Sequence, residues 1–475
     1  MIEKRQFYIN GAWVDPATPH DFPVIDPSTE EPCAVISLGD QPDTDAAVAA
    51  ARGAFPAWSE SPLSARKELI ESILTVYKAR SEDMSQAISM EMGAPIDLAR
   101  NSQTPSGTWH IEGFLNSFDE IEWEYVRDAK SGERIHREPI GVVGMITPWN
   151  WPMNQVALKV IPALAAGCTM VLKPSEIAPL SSIVWSEIMD EAGCPAGVYN
   201  MVNGDGPGVG TQLSEHMDVD MISFTGSTRA GRAITAASAS NLKRVSLELG
   251  GKGANIIFAD ADDKAVMRGA RHCFNNTGQS CNAPTRMLVE RSRYDEAVEQ
   301  AAETAETTKV APSADEGRHI GPVVSEVQFN KIQDLIQKGI DEGARLVAGG
   351  VGRPDGLNRG YFIRPTVFAD VTNEMTIARE EIFGPVLSII PFDSEEEAVA
   401  MANDTPYGLT NYVQTGNDDR RMRMARRLRS GMVETNGKGF GRGSPFGGMK
   451  QSGNGREGGV FGIEEFQEVK AISGC

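Results

Sequence analysis

Residues 140–176 read IGVVGMITPWNWPMNQVALKVIPALAAGCTMVLKPSE. IGVVGMIT is a short apolar run closed by a proline, which marks a buried strand. NQVALKVIPALAAG is a helix ending at a glycine, and TMVLK is a second buried strand. A helix between two buried strands implies a parallel pair, because only a long crossover returns the chain to the same end of the sheet. The pattern continues outward. LSSIVWSEIMDEAG is a helix stopping at Gly193, and VYNMV and VDMISFT are further strands. After residue 250 it resumes, with DDKAVMRGARHCFNN helical, RMLVE a strand and VQFNKIQDLIQKGIDEG a helix. VLSIIPF, SEEEAVAMAND and TNYVQ then read strand, helix, strand. The fold class is α/β, with parallel sheets covered by helices.

Upstream the chain reads as helical after a short opening. Asp43 or Thr44 is positioned to cap a helix through AAVAAARGAF. SARKELIESILTVYKARSEDMSQAISMEMG keeps helical spacing and stops at Gly93 and Pro95. Two segments stand apart. DEIEWEYVRDAKSGERIHREP, at 119–139, is polar with a Ser-Gly turn in its middle, and reads as an exposed two-stranded ribbon. FQEVKAIS, near the C-terminus, reads as an extra strand. The sequence shows no internal repeat and no low-complexity linker.

The totals bound the function. At roughly 100–200 residues per domain, 475 residues make two to four domains. A formal net charge of −20 argues against nucleic acid and anionic membranes, which require clustered Lys and Arg. The six cysteines are Cys33, Cys168, Cys194, Cys273, Cys281 and Cys475. They form no C-x-x-C pair and stand beside no His cluster, so no metal site is expected. So few thiols suit a reducing compartment. MIEKRQFYIN has no apolar core for a signal peptide, and the longest apolar stretch, Val156 to Leu172, carries Lys159 and Pro162. The expectation is a cytoplasmic enzyme.

Several stretches carry chemistry. A spaced G-x-G-x-x-G is absent, and NGDGPGVG at 203–210 is a near miss that reads as a loop. ISFTGSTRAG places Gly226 and Ser227 between a strand and a helix starting near Thr228, where backbone N–H groups and the helix dipole suit a pyrophosphate. By itself it is also compatible with any strand–helix turn. In VLKPSE, Lys173 and Glu176 follow a strand end, where they are placed for ribose hydroxyls or for water. Cys281, in FNNTGQSCNAPTR, has small polar neighbours, unlike a structural core cysteine such as Cys168. Glu248, in VSLELGGKG, puts a carboxylate on a buried strand. Such a group is either a general base with a raised pKa or half of a buried ion pair. Asn150, in TPWNWP, is an oxyanion donor or a turn asparagine.

Together these stretches resemble the aldehyde dehydrogenase family. The likeness runs from FYINGAW to PFGGMKQSGNGREGG, with TPWNWP, KPSE, FTGS, LELGGK, NTGQSC and EEIFGP in the family's order. The resemblance implies a Rossmann-type cofactor domain (1–118 and 139–249), an α/β catalytic domain (250–455) and a small β oligomerisation ribbon (119–138 and 456–475). It implies Cys281 as nucleophile, Glu248 as general base, and Asn150 with the Cys281 N–H as oxyanion donors. It further implies NAD, with NADP less favoured. Lys173 and Glu176 would meet the adenine ribose, Gly226 and Ser227 the pyrophosphate, and Glu381 and Phe383 the nicotinamide end. Ile146, Thr147, Trp149 and Leu249 would line the cofactor groove.

The implied reaction is oxidation of an aldehyde to the acid through a Cys281 thioester, by a homodimer or homotetramer. The alternatives are a coenzyme A-acylating relative, against which Glu248 speaks, and a non-catalytic use of the fold. By the same resemblance, the aldehyde channel includes Trp151, Leu158, Asn275, Ser280, Asn282 and Phe440. Lys438 and Arg442, in NGKGFGRGSPF, are placed to favour a distal negative or polar group, or else simply to face water. The strand near Val469 is expected to pair across a subunit interface.

Overall fold

The computed structural model describes residues 1–474; Cys475 lies outside the described residues. Its first sheet has five parallel strands at its heart, in the order Arg244–Glu248, Met221–Thr225, Val142–Ile146, Thr169–Lys173, Tyr199–Met201. Four of these are buried along their whole length, because apolar clusters cover both faces of the sheet. Helix Pro152–Ala166 crosses between the first two strands of the chain order and is buried all round. Its end is closed by Gly167 at φ +96° and by Arg66, whose guanidinium donates to the Ala166 carbonyl at 2.8 Å.

The second sheet is parallel except at one edge. Its order is Arg345–Ala348, Thr366–Ala369, Val386–Phe392, Arg286–Glu290, Ala254–Ile257, Thr410–Gln414, Met432–Thr435. Apolar clusters again cover both faces. The polar ribbon forms as expected, with strands Glu124–Asp128 and Glu133–Pro139 joined through Ser131 and Gly132 (φ +65°).

Three expectations change. The N-terminal part is not purely helical: Phe7–Ile9 and Ala12–Val14 extend the first sheet, and Ile2–Lys4, Asp21–Asp26 and Glu31–Ser37 make a small sheet of their own. The helix after them, Gln41–Ser59, is capped by Asp40 rather than Asp43 or Thr44, with Asp43 closing a capping box from within. The strand near Val469 pairs with the ribbon on one edge, and its other edge meets no described strand of the chain. Gln467–Ile472 runs antiparallel to Glu133–Pro139, with Val469 opposite Arg137. The preceding helix, Gly459–Glu464, packs on helices Thr104–Ser117 and Pro152–Ala166, and so belongs with the first sheet rather than with the ribbon.

Candidate active site

The first sheet reverses its direction of growth between Val142–Ile146 and Met221–Thr225, and in an open parallel sheet the ligand crevice opens at that point, beyond the carboxyl ends of the strands. A cavity of about 210 Å³ lies there. Pro148, Trp149 and Asn150 follow one strand into its wall, and Thr225, Gly226 and Ser227 follow the other. Ser227 caps helix Thr228–Ala237, its hydroxyl accepting from the Ala230 N–H at 3.2 Å. Glu248 and Leu249 enter from the end of the neighbouring first-sheet strand, and Cys281, Glu381 and Phe383 come from loops at the amino ends of second-sheet strands.

Cys281 sits on a tightly held loop. Asn276 and Thr277 adopt φ of +50° and +56°, followed by Gly278 at +73°. A left-handed non-glycine residue costs about 1–3 kcal/mol and needs firm surroundings. The surroundings supply hydrogen bonds: Asn276 Nδ2 donates to Asn150 O at 2.9 Å, Thr277 Oγ1 to Gly321 O at 3.0 Å, and Gln279 Oε1 accepts from Val324 N at 2.9 Å. Asn150 Nδ2 donates to Gln279 O at 3.1 Å, which leaves its second N–H for another acceptor. Burial pushes the half-buried Cys281 thiol up, and the carboxylates of Glu381, Glu248 and Glu457 push it the same way.

Glu248 ends the strand Arg244–Glu248 and is buried, and neither carboxyl oxygen has a hydrogen-bond partner. The ion-pair alternative for it does not hold. The nearby lysine, Lys159, is engaged instead with Glu457 at 2.6 Å, both side chains buried. Desolvation raises the Glu248 pKa well above its ordinary value, and Glu457 adds to the rise; Lys159 and Arg456 oppose it. Gly447 makes this approach possible, since a Cβ there would stand 2.6 Å from Glu248 Oε1.

The remaining cofactor candidates divide. Glu381 Oε1 accepts the Gly251 N–H at 2.8 Å, and Phe383 meets Trp149 edge-on at 5.5 Å between ring centroids. Lys173 and Glu176 lie one strand further along, 3.2 Å apart; burial lowers the lysine and Glu176 opposes that shift. Ile146 and Thr147 are buried at the strand end, outside the cavity wall. Nothing in the sequence marked Gln328 and Lys331, which enter the wall from helix Glu326–Asp341 and donate to the Phe383 and Glu381 carbonyls at 3.2 and 2.9 Å. Gln103 also went unmarked. A π-helical turn, Ala99–Gln103, delivers it to Asn150 O at 3.0 Å. The stretch 203–210 is not a plain loop: Gly206–Gly210 forms a π-helical turn that runs into helix Thr211–Glu215, capped by Asp205 Oδ1 accepting from Gly208 N at 2.6 Å, and it lies outside the cavity wall.

The channel candidates also part company. Trp151 Nε1 donates to Ser280 Oγ at 2.8 Å, Asn282 O accepts from Tyr412 at 2.6 Å, and Leu158 is buried. Phe440 lies at a pocket of about 100 Å³ with Trp109, His110 and Phe446. Asn275 faces a different cavity. Arg442 is not free to meet a substrate anion: it is paired with Glu112 at 2.8 Å and lies over the Trp109 ring at 4.5 Å. Lys438 is exposed. Among the described residues, no group of three or more His, Cys, Asp or Glu side chains could hold a metal ion, and no helix is long and apolar enough to cross a membrane.

Comparison with known proteins agrees with this geometry. The family model described as "Aldehyde dehydrogenase family" matches residues 13–472. A 3-succinoylsemialdehyde-pyridine dehydrogenase from a Pseudomonas species is 50% identical over 100% of this chain and 99% of its own. The crystal structure of an aldehyde dehydrogenase from Bartonella henselae superposes with a TM-score of 0.99 at 60% identity, covering 100% of both chains. That of aldehyde dehydrogenase C from Pseudomonas syringae, a cysteine-to-alanine variant in complex with NAD+ and octanal, gives 0.97 at 47% identity, covering 99% of this chain and 96% of its own. With a family model over nearly its whole length and relatives this similar from end to end, the chain belongs to the aldehyde dehydrogenase family.

Proposed function

We propose that this protein oxidises an aldehyde to its carboxylic acid with NAD, through a thioester on Cys281. The observation that carries the proposal is Glu248, buried with both carboxyl oxygens unpartnered in the same cavity wall as the thiol. A carboxylate left in that state is destabilising unless it is used.

The cavity fits the dinucleotide. The helix Thr228–Ala237 opens toward it at Gly226 and Ser227 with no acidic residue in its first turn, as a pyrophosphate requires. Thr225 Oγ1 is buried there without a partner. Lys173 and Glu176, one strand further along, would meet the ribose hydroxyls, and Glu381 and Phe383, in the cavity wall, the nicotinamide end. When bound, NAD supplies the acceptor for the hydride that leaves the substrate carbon.

The chain's own residues do the rest. Glu248 takes the proton of the thiol, and Cys281 Sγ bonds to the aldehyde carbon. The carbonyl oxygen becomes an alkoxide held by the free Asn150 N–H and the Cys281 N–H, a donor pair of which each member is worth about 10² to 10³ in rate. Once the hydride has gone, the carbon is a thioester. Glu248, its first proton released to solvent, then takes a proton from water, the oxygen attacks the thioester, and the carbon–sulfur bond breaks to release the acid and restore the thiolate.

NADH absorbance tests the activity directly. Aldehyde plus NAD should form NADH and free acid at a rate that coenzyme A does not change. Formation of an acyl-coenzyme A would refute hydrolysis. The Glu176 carboxylate should repel a 2′-phosphate, so kcat/KM is expected to favour NAD over NADP by roughly tenfold or more. Glu176→Gln should narrow that ratio, and equal use of both cofactors by the unaltered enzyme would overturn the assignment.

The enzyme is proposed to be cytoplasmic, since Cys33, Cys168, Cys194, Cys273 and Cys281 are all free. It is further proposed to assemble as a homodimer or homotetramer through the ribbon. The three-stranded ribbon leaves Val126 and Val469 exposed at 49% and 64%, apolar surface that a partner subunit would cover. Light scattering at micromolar concentration should give at least twice the chain mass; a monomer would contradict this.

A further inference from the structure

A second cavity, of about 480 Å³, has more than twice the volume of the one holding Cys281, at about 210 Å³. Its wall includes Phe274 and Asn275, which run directly into the loop that carries the nucleophile. The polar part of the wall consists mainly of donors. Arg271, on the last turn of helix Ala265–Phe274, lines it together with Lys309 and Arg318. All three are exposed, and none has an ion-pair partner among the described residues. Their neighbours are paired: Arg268, one turn earlier on the same helix, holds Asp262 at 2.8 Å, and Arg100 holds Glu82 at 2.6 Å.

Several acceptors in the wall are held by the chain itself. The one lining carboxylate, Asp97, accepts the Gly317 N–H at 2.8 Å through Oδ2. Thr307 and Thr308 turn their hydroxyls back to the Glu303 and Thr304 carbonyls, each at 2.7 Å. Leu98, Phe274 and Ile320 supply an apolar part of the wall. Three cations around one concavity repel each other, and in a chain with 65 carboxylates to 45 basic residues a chance grouping of unpaired cations is not the expected surface. A concave wall also concentrates their field. Guanidinium and ammonium groups in this arrangement match the oxygens of a carboxylate or phosphate.

We propose that this cavity binds a carboxylate or phosphate group of a small molecule through Arg271, Lys309 and Arg318. The group is either the distal carboxylate of the aldehyde substrate or that of a free anion; only the first source rests on the function proposed above. The test compares the intact enzyme with an Arg271→Ala/Arg318→Ala double variant, both exposed positions whose truncation should leave the fold intact. Melting and calorimetry with inorganic phosphate and with succinate, at ionic strength balanced by sodium chloride, read free-anion binding. The unaltered enzyme should melt a few degrees higher with saturating anion, and the double variant should not respond. The ratio of kcat/KM for succinic semialdehyde over butanal reads the substrate's own carboxylate. Two exposed pairs are worth about tenfold together, so that ratio should fall about tenfold in the variant while butanal is unaffected. Either loss supports the site and names its source. Identical melting responses and identical ratios in the two proteins overturn it. If the unaltered enzyme oxidises neither aldehyde, the proposed function fails, and the melting comparison alone decides the anion site.

Discussion

Cys281→Ala is expected to reduce NADH formation to background, a loss of roughly 10⁵-fold or more, the scale reached when a covalent nucleophile is removed. The substitution takes away one half-buried sulfur and leaves the Cys281 N–H, the Asn150 amide and the loop's hydrogen bonds in place. Folding stability should therefore change by no more than about 1 kcal/mol. The proposed cofactor wall of Trp149, Gly226, Ser227, Glu381 and Phe383 is untouched, so NAD binding measured by calorimetry should survive with little change in Kd. Loss of turnover with binding retained separates a chemical role from a structural one. Residual turnover above a few per cent of wild type would remove Cys281 from the mechanism. The thiol is pushed up by burial and by Glu381, Glu248 and Glu457, so it is neutral near pH 7 and needs a base before it can attack. In the proposed mechanism that base is Glu248.

The parallel sheets were readable in the sequence because their strands are buried on both faces and read as unbroken apolar runs. The N-terminal strands were not, because they are short and carry mixed signals. Asp21–Asp26 contains Pro23, which ordinarily demotes a strand. The hairpin Phe7–Ile9 to Ala12–Val14 did carry its marker: Asn10 and Gly11 turn at φ +53° and +76°, the Asn-Gly combination such hairpins favour.

The candidate site was legible where a residue clashed with its local company. Cys281 stood among small polar residues, and Glu248 stood in an apolar strand. What the sequence could not show was distance. Lys159 and Glu457 are 298 residues apart, so nothing indicated that they would satisfy each other and leave Glu248 unpaired. Arg442 looked available for a substrate until Glu112 and Trp109 were seen to hold it. Gln103, Gln328 and Lys331 lie on ordinary helical stretches and acquire meaning only from what those helices face.

Glu248→Gln should divide the reaction in two. The glutamine keeps the shape of the side chain and cannot accept a proton, and a positioned base is worth about 10² to 10⁴ in rate. In the proposed mechanism the carboxylate serves both thiol activation and thioester hydrolysis, and only hydrolysis must draw a proton from water. Mixing the variant with NAD and aldehyde should give a burst of NADH of up to one per active site, then slow turnover. Because the thiol also loses its base, the burst itself should be slower than in wild type. Mass spectrometry in the slow phase should find the acyl group on Cys281.

The pH dependence follows from the raised pKa of Glu248. Wild-type kcat should climb as pH rises through that raised value and the base form appears; the glutamine variant should lack this limb. Stability moves the opposite way. Between the ordinary glutamate value of 4.5 and the raised one, the folded state keeps a proton that the unfolded state loses, so wild-type stability is fully present below that window and falls as pH rises through it. Glutamine removes the buried ionisable group and this slope with it. At pH 8 the variant should melt no lower than wild type, although it turns over about 10² to 10⁴ times more slowly. A variant that turned over at the wild-type rate, or whose acyl group never accumulated, would show that another group hydrolyses the thioester. Glu457, already bound to Lys159, would be the first to examine.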